Sequence, residues 1–273
     1  MQILKHPFKS AVVCLFALVV LNGLLVGVAS GSSANQDAPE PTAIPAHWTY
    51  EGEEGPEFWG ELDANYALCG TGRAQSPIDI AGEQAVSLQD IVFNYQPSEL
   101  TIFNNGHTIQ ANYDGGSSIT YNETEYELLQ FHFHHPSEHT IAGQTFDMEL
   151  HLVHRDANGD LAVVGILLNR GEADNEALAP VFANMPAEKG DPQAVGTTID
   201  AAAFLPDYHL YYTYSGSLTT PPCSQDVRWL LLETPQAISA AQFEAFASLF
   251  ELNARPVQPL NNRDLLEDSS AGG

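Results

Sequence analysis

The hydrophobic pattern of the chain is dominated by short apolar or alternating runs that are separated by turn sequences. The runs that most clearly predict β-strands are 129–135, 146–154, 161–168 and 226–232. The turn sequences include "NNG" at 104–106, "DGG" at 114–116 and "NG" at 158–159. Two segments have helical features, 174–184 and 239–250, and in the second Ser239 can cap an apolar stripe. The pattern predicts a mainly β (α+β) fold with a few short helices.

The first of these strands carries histidines on one face. Because side chains alternate along a strand, His132 and His134 share a face, and Phe131 and Phe133 share the other. The phenylalanine face is suited to a hydrophobic core. If the strand at 146–154 is a neighbour in the sheet, His151 joins the two histidines.

Three neutral imidazoles form a ligand set for Zn²⁺ that leaves a fourth position open to water, as in catalytic zinc sites. Each ligand also needs an anchor for its second ring nitrogen. Gln130 and Glu149 each precede a ligand by two residues and share its face, so they are candidate anchors. The alternative interpretation is a set of surface or core histidines without a metal.

The N-terminus has the features of a secretory signal peptide at 1–29. Lys5 and Lys9 precede a long apolar run, and the small residues of "VASGSSA" follow it. Cleavage after Ala29 and cleavage after Ala34 both fit this sequence, and an uncleaved membrane anchor is the alternative. We expect a secreted or periplasmic protein with no stable membrane association once the signal is removed.

The rest of the chain divides into a leader, one domain and a tail. The Ser-, Ala- and Pro-rich segment 30–45 is typical of a flexible leader. No linker or repeat interrupts 46–266, and 267–273 is expected to be a loose tail. Removal of the signal leaves Cys69 and Cys223, which in an exported chain indicate one disulfide, with two free thiols as the alternative.

Charge excludes some partners. The chain has 35 acidic and 9 basic residues, and loss of Lys5 and Lys9 gives a mature net charge of 7 − 35 = −28. Such a chain is repelled by nucleic acid and by anionic membranes, whereas a small-molecule substrate is compatible with it. The acidity is either a common property of secreted proteins or an adaptation to a saline environment. Composition leaves monomer and homodimer open.

Several long motifs, in a fixed order, resemble those of the α-class carbonic anhydrases. They are "QSPIDI" (75–80), "NNGH" (104–107), "QFHFHHPSEHT" (130–140), "ELHLVH" (149–154), "LAVVGILL" (161–168), "SLTTPPC" (217–223) and "RPVQPLNNR" (255–263). The resemblance implies a large, mostly antiparallel twisted central sheet with a zinc ion in a conical cavity. It also implies reversible hydration of carbon dioxide to bicarbonate and a proton, by attack of a zinc-bound hydroxide.

The resemblance also assigns roles to individual residues. Thr219 would accept a hydrogen bond from the hydroxide and donate one from its own hydroxyl to Glu138, which orients the hydroxide, and Thr220 would contact bicarbonate. His107 would act as the proton shuttle. The apolar wall beside the hydroxide would consist of Val153, Val163, Leu218, Val227 and Trp229. The polar groups that hold the cavity water would be those of Tyr50, Asn105 and Gln110.

Further expectations follow from the same resemblance. Cys69 and Cys223 match the disulfide of exported members, and Pro77 and Pro222 match positions that have cis peptide bonds. The strand faces exclude His135 and His154 as ligands, and His139 is not assigned as one either. Two other functions stay open: a catalytically silent carbonic-anhydrase-like binding module, and a structural or zinc-buffering protein.

Overall fold

The computed structural model describes residues 46–270. The predicted signal peptide at 1–29 and leader at 30–45 lie outside the described residues, as do the last three residues of the predicted tail. No helix among the described residues is long and apolar enough to cross a membrane.

A twisted sheet of 12 strands forms the centre of the fold, and a separate two-stranded sheet pairs β1 with β8. The long path through the large sheet has the order β11-β4-β5-β7-β9-β10-β13-β12-β14-β2, while β6 pairs with β7 and β3 pairs with β6. The strands are β1 Asp79–Ile80, β2 Gln84–Val86, β3 Val92–Asn94, β4 Ser98–Asn104, β5 Ile109–Asn112, β6 Ser118–Tyr121, β7 Thr124–His134, β8 Thr140–Ile141, β9 Met148–Arg155, β10 Leu161–Gly171, β11 Gln193–Ile199, β12 Tyr211–Ser217, β13 Gln225–Ser239 and β14 Leu266–Asp268.

Most neighbours in the large sheet are antiparallel, and the two parallel pairs are β10 with β13 and β14 with β2. All four strands predicted most clearly from the sequence are present as β7, β9, β10 and β13, although β7 begins earlier and β13 ends later than the apolar runs. The four lie side by side, so the hypothesis that His151 is on a strand adjacent to that of His132 is confirmed.

The two faces of these central strands pack into different apolar clusters. Phe131 and Phe133 are fully buried in the larger cluster, where each side chain contributes about 1.5–3 kcal/mol relative to exposure. Val163 and Trp229 belong to a smaller cluster on the opposite face. The alternation expected from the sequence is therefore realised, because one face of the sheet packs into the main core and the other carries the histidines.

Short helices surround the sheet: α1 Trp59–Leu62, α2 Ala67–Thr71, α3 Ala179–Ala183 and α4 Ala240–Ala247. In α4, Ser239 accepts a hydrogen bond from the Gln242 backbone N–H, and the Gln242 side chain accepts one from the Ser239 N–H, which is a capping box. The helix predicted at 174–184 is mostly wrong, because only its last five or so residues are helical. Pro180 lies in the first turn of α3 and favours a helix start there rather than at Asp174.

The C-terminal segment contradicts the expectation of a loose tail that begins at 267. Glu267 pairs with Tyr212 of β12 on one side and with Ala85 of β2 on the other. Asp268 then accepts hydrogen bonds from the backbone N–H groups of Leu88 and Ser270. This strand position could not be recognised from its polar sequence, because the pairing partners lie far away in the chain.

Cys69 and Cys223 form the expected disulfide, with Cα atoms 5.0 Å apart. The bond joins α2 to the residue that follows the "LTTPP" sequence. The expected cis peptide bonds precede Pro77 and Pro222, and a third precedes Pro136. The disulfide thus fixes the N-terminal helices to the loop between β12 and β13.

Candidate metal centre

Strand register brings three histidines together. In the antiparallel pair of β7 and β9, His132 lies directly opposite His151, and His134 lies opposite Glu149. Directly opposite residues share a face, so the three imidazoles project to the same side of the sheet. One ring nitrogen from each lies within 4.8 Å of the other two. That spacing suits ligands around a single ion.

The second nitrogen of each ring is held by a different acceptor. His132 Nδ1 is 2.9 Å from Gln130 Oε1, and His151 Nε2 is 2.8 Å from Glu149 Oε1, as expected from the sequence. His134 Nδ1 donates to the backbone carbonyl of Asn253 at 2.7 Å. These bonds fix the orientation of each ring. They leave His132 Nε2, His134 Nε2 and His151 Nδ1 for a metal ion.

The residues fit a zinc ion by their chemistry. His134 Nε2 is buried and has no hydrogen-bond partner among the described residues, which is costly unless a ligand satisfies it. Burial lowers the pKa of all three imidazoles, to about 4 for His134. Neutral imidazole is the form that binds zinc. The three histidines therefore offer Zn²⁺ the nitrogen ligands that it prefers.

Glu149 also anchors a second histidine. His139 Nδ1 is 2.7 Å from Glu149 Oε1, and His139 Nε2 is 2.7 Å from the Tyr214 hydroxyl. Burial alone would raise the pKa of Glu149, but His139 and His151 hold it well below its usual range. Both nitrogens of His139 are thus engaged in hydrogen bonds, in agreement with the expectation that it is not a metal ligand.

Two other histidines lie away from the cluster. His135 Nδ1 donates to the carbonyl of Glu251, and His154 Nε2 lies 2.9 Å from the Tyr95 hydroxyl in the main core. These positions agree with the strand alternation, which points both rings to the face opposite the ligands.

Glu138 and Thr219 lie next to this cluster. Glu138 Oε1 accepts a hydrogen bond from the Arg255 backbone N–H at 2.9 Å, and Oε2 is 3.5 Å from His134 Nε2. Burial raises the pKa of Glu138 to about 7, while His151 and the Arg255 backbone N–H act to lower it. Oε2 has no hydrogen-bond partner among the described residues, so the expected bond from Thr219 is not formed in this conformation. A free acceptor is nevertheless in place for it.

A cavity of about 240 Å³ opens over the three histidines, with one apolar side. Val153 pairs with Val163 on the next strand, and Val163 pairs with Trp229 on the strand after that, so the register itself forms a row of apolar side chains. Leu218 lines the cavity beside this row. Val227 packs into the cluster behind the row and is not among the cavity-lining residues.

Polar side chains also line the cavity. The lining residues predicted from the sequence are Tyr50, Asn105, His107, Gln110, Thr219 and Thr220. Asn105 Oδ1 accepts the backbone N–H groups of His107 and Thr108, which fixes the turn that presents His107. Asn105 Nδ2 donates to Gln110 Oε1 at 3.3 Å. The expected polar residues are therefore brought together in one cavity.

His107 lies half-buried at the edge of the cavity. Its ring stacks on Trp48, with centroids 3.7 Å apart and planes 7° apart. Burial lowers its pKa to about 4, and Lys189 and His47 contribute to the same direction. An unperturbed histidine titrates at about pH 6.5, so this ring differs from the ordinary side chain. The difference arises because stacking on Trp48 removes water from the ring and because other basic groups lie near it.

Several contributors to the site were missed from the sequence. A backbone carbonyl such as that of Asn253 has no side-chain signature, although it lies just before the quoted "RPVQPLNNR" motif. Gly165 lies opposite His151, and a Cβ atom there would be 3.2 Å from Glu149 Oε1 and 2.7 Å from Leu231 Cδ1. The glycine keeps the space that Glu149 occupies. The role of Gly165 could be recognised only once the register between β9 and β10 was known.

Comparison with known proteins identifies the family. A family model described as eukaryotic-type carbonic anhydrase matches residues 54–269. A carbonic anhydrase of Nostoc sp. is 48% identical over 256 residues, 92% of this chain and 96% of that protein. The solved α-carbonic anhydrase of Thermovibrio ammonificans, in complex with sulfanilamide, is 41% identical with a TM-score of 0.79, over 81% of this chain and 99% of that chain. Dioscorin, solved in complex with ascorbate, is 30% identical with a TM-score of 0.74, over 81% of this chain and 97% of its own. The chain belongs to the eukaryotic-type, or α-class, carbonic anhydrase family.

Proposed function

We propose that this carbonic anhydrase hydrates carbon dioxide with a zinc ion held by His132 Nε2, His134 Nε2 and His151 Nδ1. The observation that carries the proposal is the set of three imidazoles whose other nitrogens are all anchored and whose free nitrogens converge beneath a cavity. A bound zinc ion lowers the pKa of a water molecule to about 7 and so supplies hydroxide near neutral pH. Orientation of the hydroxide, binding of the substrate and removal of the proton depend on the side chains of the cavity.

Thr219 and Glu138 orient the hydroxide. Ionised Glu138 can only accept hydrogen bonds, and its Oε2 has no partner among the described residues. If the Thr219 hydroxyl donates a hydrogen bond to this oxygen, its lone pair would be left to accept the hydrogen of an attacking hydroxide. A hydroxide held in this way would turn its lone pair toward carbon dioxide. The effect is one of positioning, which costs no reorganisation during the reaction.

The apolar row holds the substrate. Carbon dioxide has no charge and little polarity, so contact with Val153, Val163, Leu218 and Trp229 places it beside the hydroxide without competing hydrogen bonds. Thr220 lines the cavity next to Thr219 and provides a polar contact for the bicarbonate product. Val227 supports the row from behind.

His107 returns the site to its starting state. After each hydration a water molecule must lose a proton, and direct loss to bulk water is too slow for high turnover. A histidine ring can take up a proton at one nitrogen and return it to solvent, and burial, which lowers the pKa of His107 to about 4, makes the protonated form scarce and quick to release its proton. Asn105, Gln110 and Tyr50 supply hydrogen-bonding groups for the water molecules in between.

The experiment compares two adjacent histidines, His134 at the end of β7 and His135 directly after it. His134→Ala removes a proposed ligand, and we expect loss of most of the zinc and most of the hydration activity. His135→Ala is the matched control and should keep both. Zinc content per chain and stopped-flow carbon dioxide hydration are measured on the same samples. Full zinc occupancy in His134→Ala would disprove the ligand assignment, and a wild type that contains zinc without hydration activity would indicate a silent binding module instead.

The proposed setting of the enzyme is the periplasm or the outside of the cell. The Cys69–Cys223 disulfide supports export, since such bonds persist in oxidising compartments. The proposed substrate pair is carbon dioxide and bicarbonate, with no nucleic-acid partner.

A further inference from the structure

A hydrogen-bonded loop carries Thr219 to the cavity. The Leu218 backbone N–H donates to the Ser224 carbonyl at 2.9 Å and closes the segment 218–224, which we call the Thr219 loop. The Thr219 side chain is buried and lines the cavity. Because the loop is closed at its base, the positions of its two ends determine where the Thr219 hydroxyl lies.

The far end of the Thr219 loop is held by two connections that both lead to Arg255. The Cys223 carbonyl accepts a hydrogen bond from Gln75 Nε2 at 3.0 Å, and Gln75 Oε1 accepts one from Arg255 Nη1 at 2.8 Å. The Cys223 side chain is joined by the disulfide to Cys69, whose carbonyl accepts a hydrogen bond from Arg255 Nη2 at 2.9 Å. One guanidinium therefore anchors Cys223 both through its backbone and through its sulfur.

The near end of the loop is connected to the same guanidinium. Arg255 Nη1 also donates to the Ser76 carbonyl at 2.8 Å. Ser76 and Ser217 then exchange two hydrogen bonds, since the Ser76 N–H donates to Ser217 Oγ at 2.9 Å and the Ser217 N–H donates to Ser76 Oγ at 3.1 Å. Ser217 directly precedes the Thr219 loop. Both ends of the loop thus depend on the Arg255 side chain.

The backbone of Arg255 holds Glu138, the other partner in the proposed orientation of the hydroxide. Its N–H is the donor of the 2.9 Å hydrogen bond to Glu138 Oε1 described above. Arg255 therefore fixes the acceptor with its main chain and the loop that carries the donor with its side chain. A shift of the Arg255 side chain would change the separation between the Thr219 hydroxyl and the Glu138 carboxylate.

The chemistry of the guanidinium suits this role. Arg255 is 2% exposed, and its guanidinium carbon lies 5.7 Å from the centroid of the Trp59 ring. Burial lowers the pKa of Arg255 to about 10 while Glu138 acts to raise it, so the side chain stays charged at neutral pH. Its hydrogen-bond partners are two backbone carbonyls and one amide oxygen. A planar fork of donors can hold these oxygens in fixed directions, whereas a lysine ammonium cannot.

We propose that Arg255 is a positioning residue for carbon dioxide hydration, which sets the distance and direction from the Thr219 hydroxyl to the Glu138 carboxylate. This role rests on the proposed function, in which those two residues orient the hydroxide. Among the described residues, those that line the cavity over the three histidines do not include Arg255. Arg255 therefore acts on the reaction only through Thr219 and Glu138.

Two substitutions loosen the connections at different points. Gln75→Glu keeps an acceptor for the guanidinium but loses the amide N–H that holds the Cys223 carbonyl. Arg255→Lys keeps the charge and the backbone N–H to Glu138 but loses the fork of donors. Because each variant retains part of the hydrogen bonding, we expect both to fold and to bind zinc.

The first measurement is kcat and kcat/KM for carbon dioxide hydration in dilute buffer, expressed per bound zinc. We expect kcat/KM to fall roughly ten-fold in Arg255→Lys and about three-fold in Gln75→Glu, since a displaced Thr219 orients the hydroxide less well. The value of kcat should fall less, because the proposed proton removal limits it in dilute buffer. A loss of folded protein would lower both parameters in the same proportion. Tyr95→Phe, which removes a buried hydrogen bond in the main core, is the matched control and should change neither parameter.

A double-mutant cycle tests whether Arg255 acts through Thr219. In Thr219→Ala the orienting hydroxyl is absent, so its placement no longer matters. Addition of Arg255→Lys or Gln75→Glu to Thr219→Ala should therefore cause no further fall in kcat/KM.

A second readout does not depend on activity. Amide hydrogen exchange is followed by NMR on the same zinc-loaded proteins. Exchange of the Leu218 N–H, which closes the loop, should be several-fold faster in Arg255→Lys and in Gln75→Glu and unchanged in Tyr95→Phe. Unchanged exchange in the first two variants would show that Arg255 does not hold the loop.

The outcomes separate the role of Arg255 from the proposed function. If Thr219→Ala lowers kcat/KM while Arg255→Lys and Gln75→Glu do not, the role of Arg255 is wrong and the orienting role of Thr219 stands. If Thr219→Ala leaves kcat/KM unchanged, both are wrong. If the effects multiply in the double variants, or if kcat and kcat/KM fall in the same proportion, Arg255 supports the fold as a whole and the positioning role is overturned.

Discussion

At the scale of single residues, Thr219 gives the sharpest prediction. Thr219→Ala removes the hydroxyl that would orient the attacking hydroxide but leaves the three histidines and their anchors in place. We expect full zinc content and a kcat/KM lower by roughly 100-fold, which is typical of losing one preorganised hydrogen-bonding group. Thr219→Ser keeps a hydroxyl and should recover most of the rate. An unchanged kcat/KM in Thr219→Ala would exclude the orienting role.

Side-chain chemistry explains which site residues could be predicted. His132, His134, Gln130 and Glu149 were accessible from strand alternation alone, because two residues of separation place side chains on one face. The roles of Thr219, Glu138 and His107 came only from the resemblance to a family. The backbone carbonyl of Asn253 and the stack of Trp48 on His107 were missed, since each depends on a contact between distant parts of the chain.

At the scale of elements, the end of the sheet near β14 concentrates negative charge. Glu233 lies on β13, and one of its oxygens is buried without a hydrogen-bond partner in the part of the chain that the structure describes. Burial raises its pKa to about 7, and Glu267, Asp268 and Glu83 shift it in the same direction. The folded state therefore binds the Glu233 proton more tightly than the unfolded chain does. The resulting stabilisation is complete below about pH 4.5 and is lost as the pH rises through about 7.

Glu233→Gln should remove this pH dependence, because the amide is uncharged at every pH. We expect the variant to melt at a higher temperature than the wild type at pH 8 and at nearly the same temperature at pH 5. Glu244→Gln, at an exposed position on α4, is the control. It should melt at the same temperature as the wild type at each of the two pH values. Thermal unfolding followed by circular dichroism is the measurement. A stabilisation of equal size at pH 5 and pH 8 would show that packing, and not charge, is responsible.

Elements were predictable where local pattern decided them. The four central strands and the start of α4 followed from alternation and from a capping residue. The helix at 174–184 was overpredicted because the whole segment has a helical composition. Pro180 favours a helix start near itself, so only Ala179–Ala183 is helical. The strand β14 was missed because it exists only through its pairing with β12 and β2.

At the scale of the whole molecule, excess carboxylates should make stability depend on salt. Like charges repel one another in the compact state, and salt screens them. The Debye length falls from about 30 Å at 0.01 M to about 3 Å at 1 M ionic strength. We expect the melting temperature to rise steeply over the first few tenths molar NaCl and then to level off, as in adaptation to a saline environment.

Two other responses to salt would have different meanings. A linear rise that continues to high salt would indicate exclusion of salt from the protein surface. A melting temperature that stays flat between about 10 mM and 1 M NaCl would show that self-repulsion is unimportant, and the saline interpretation would be wrong.

The disulfide also determines what happens when the backbone is cut. Cys69 and Cys223 are 154 residues apart in the chain, and the covalent ring that they close contains all three proposed zinc ligands, Glu138 and His107. A protease that cleaves one exposed loop inside this ring cannot release a fragment, because the two pieces remain joined through sulfur and by the strands of one sheet. For the exported enzyme proposed above, a single nick would leave both pieces attached until the bond is reduced.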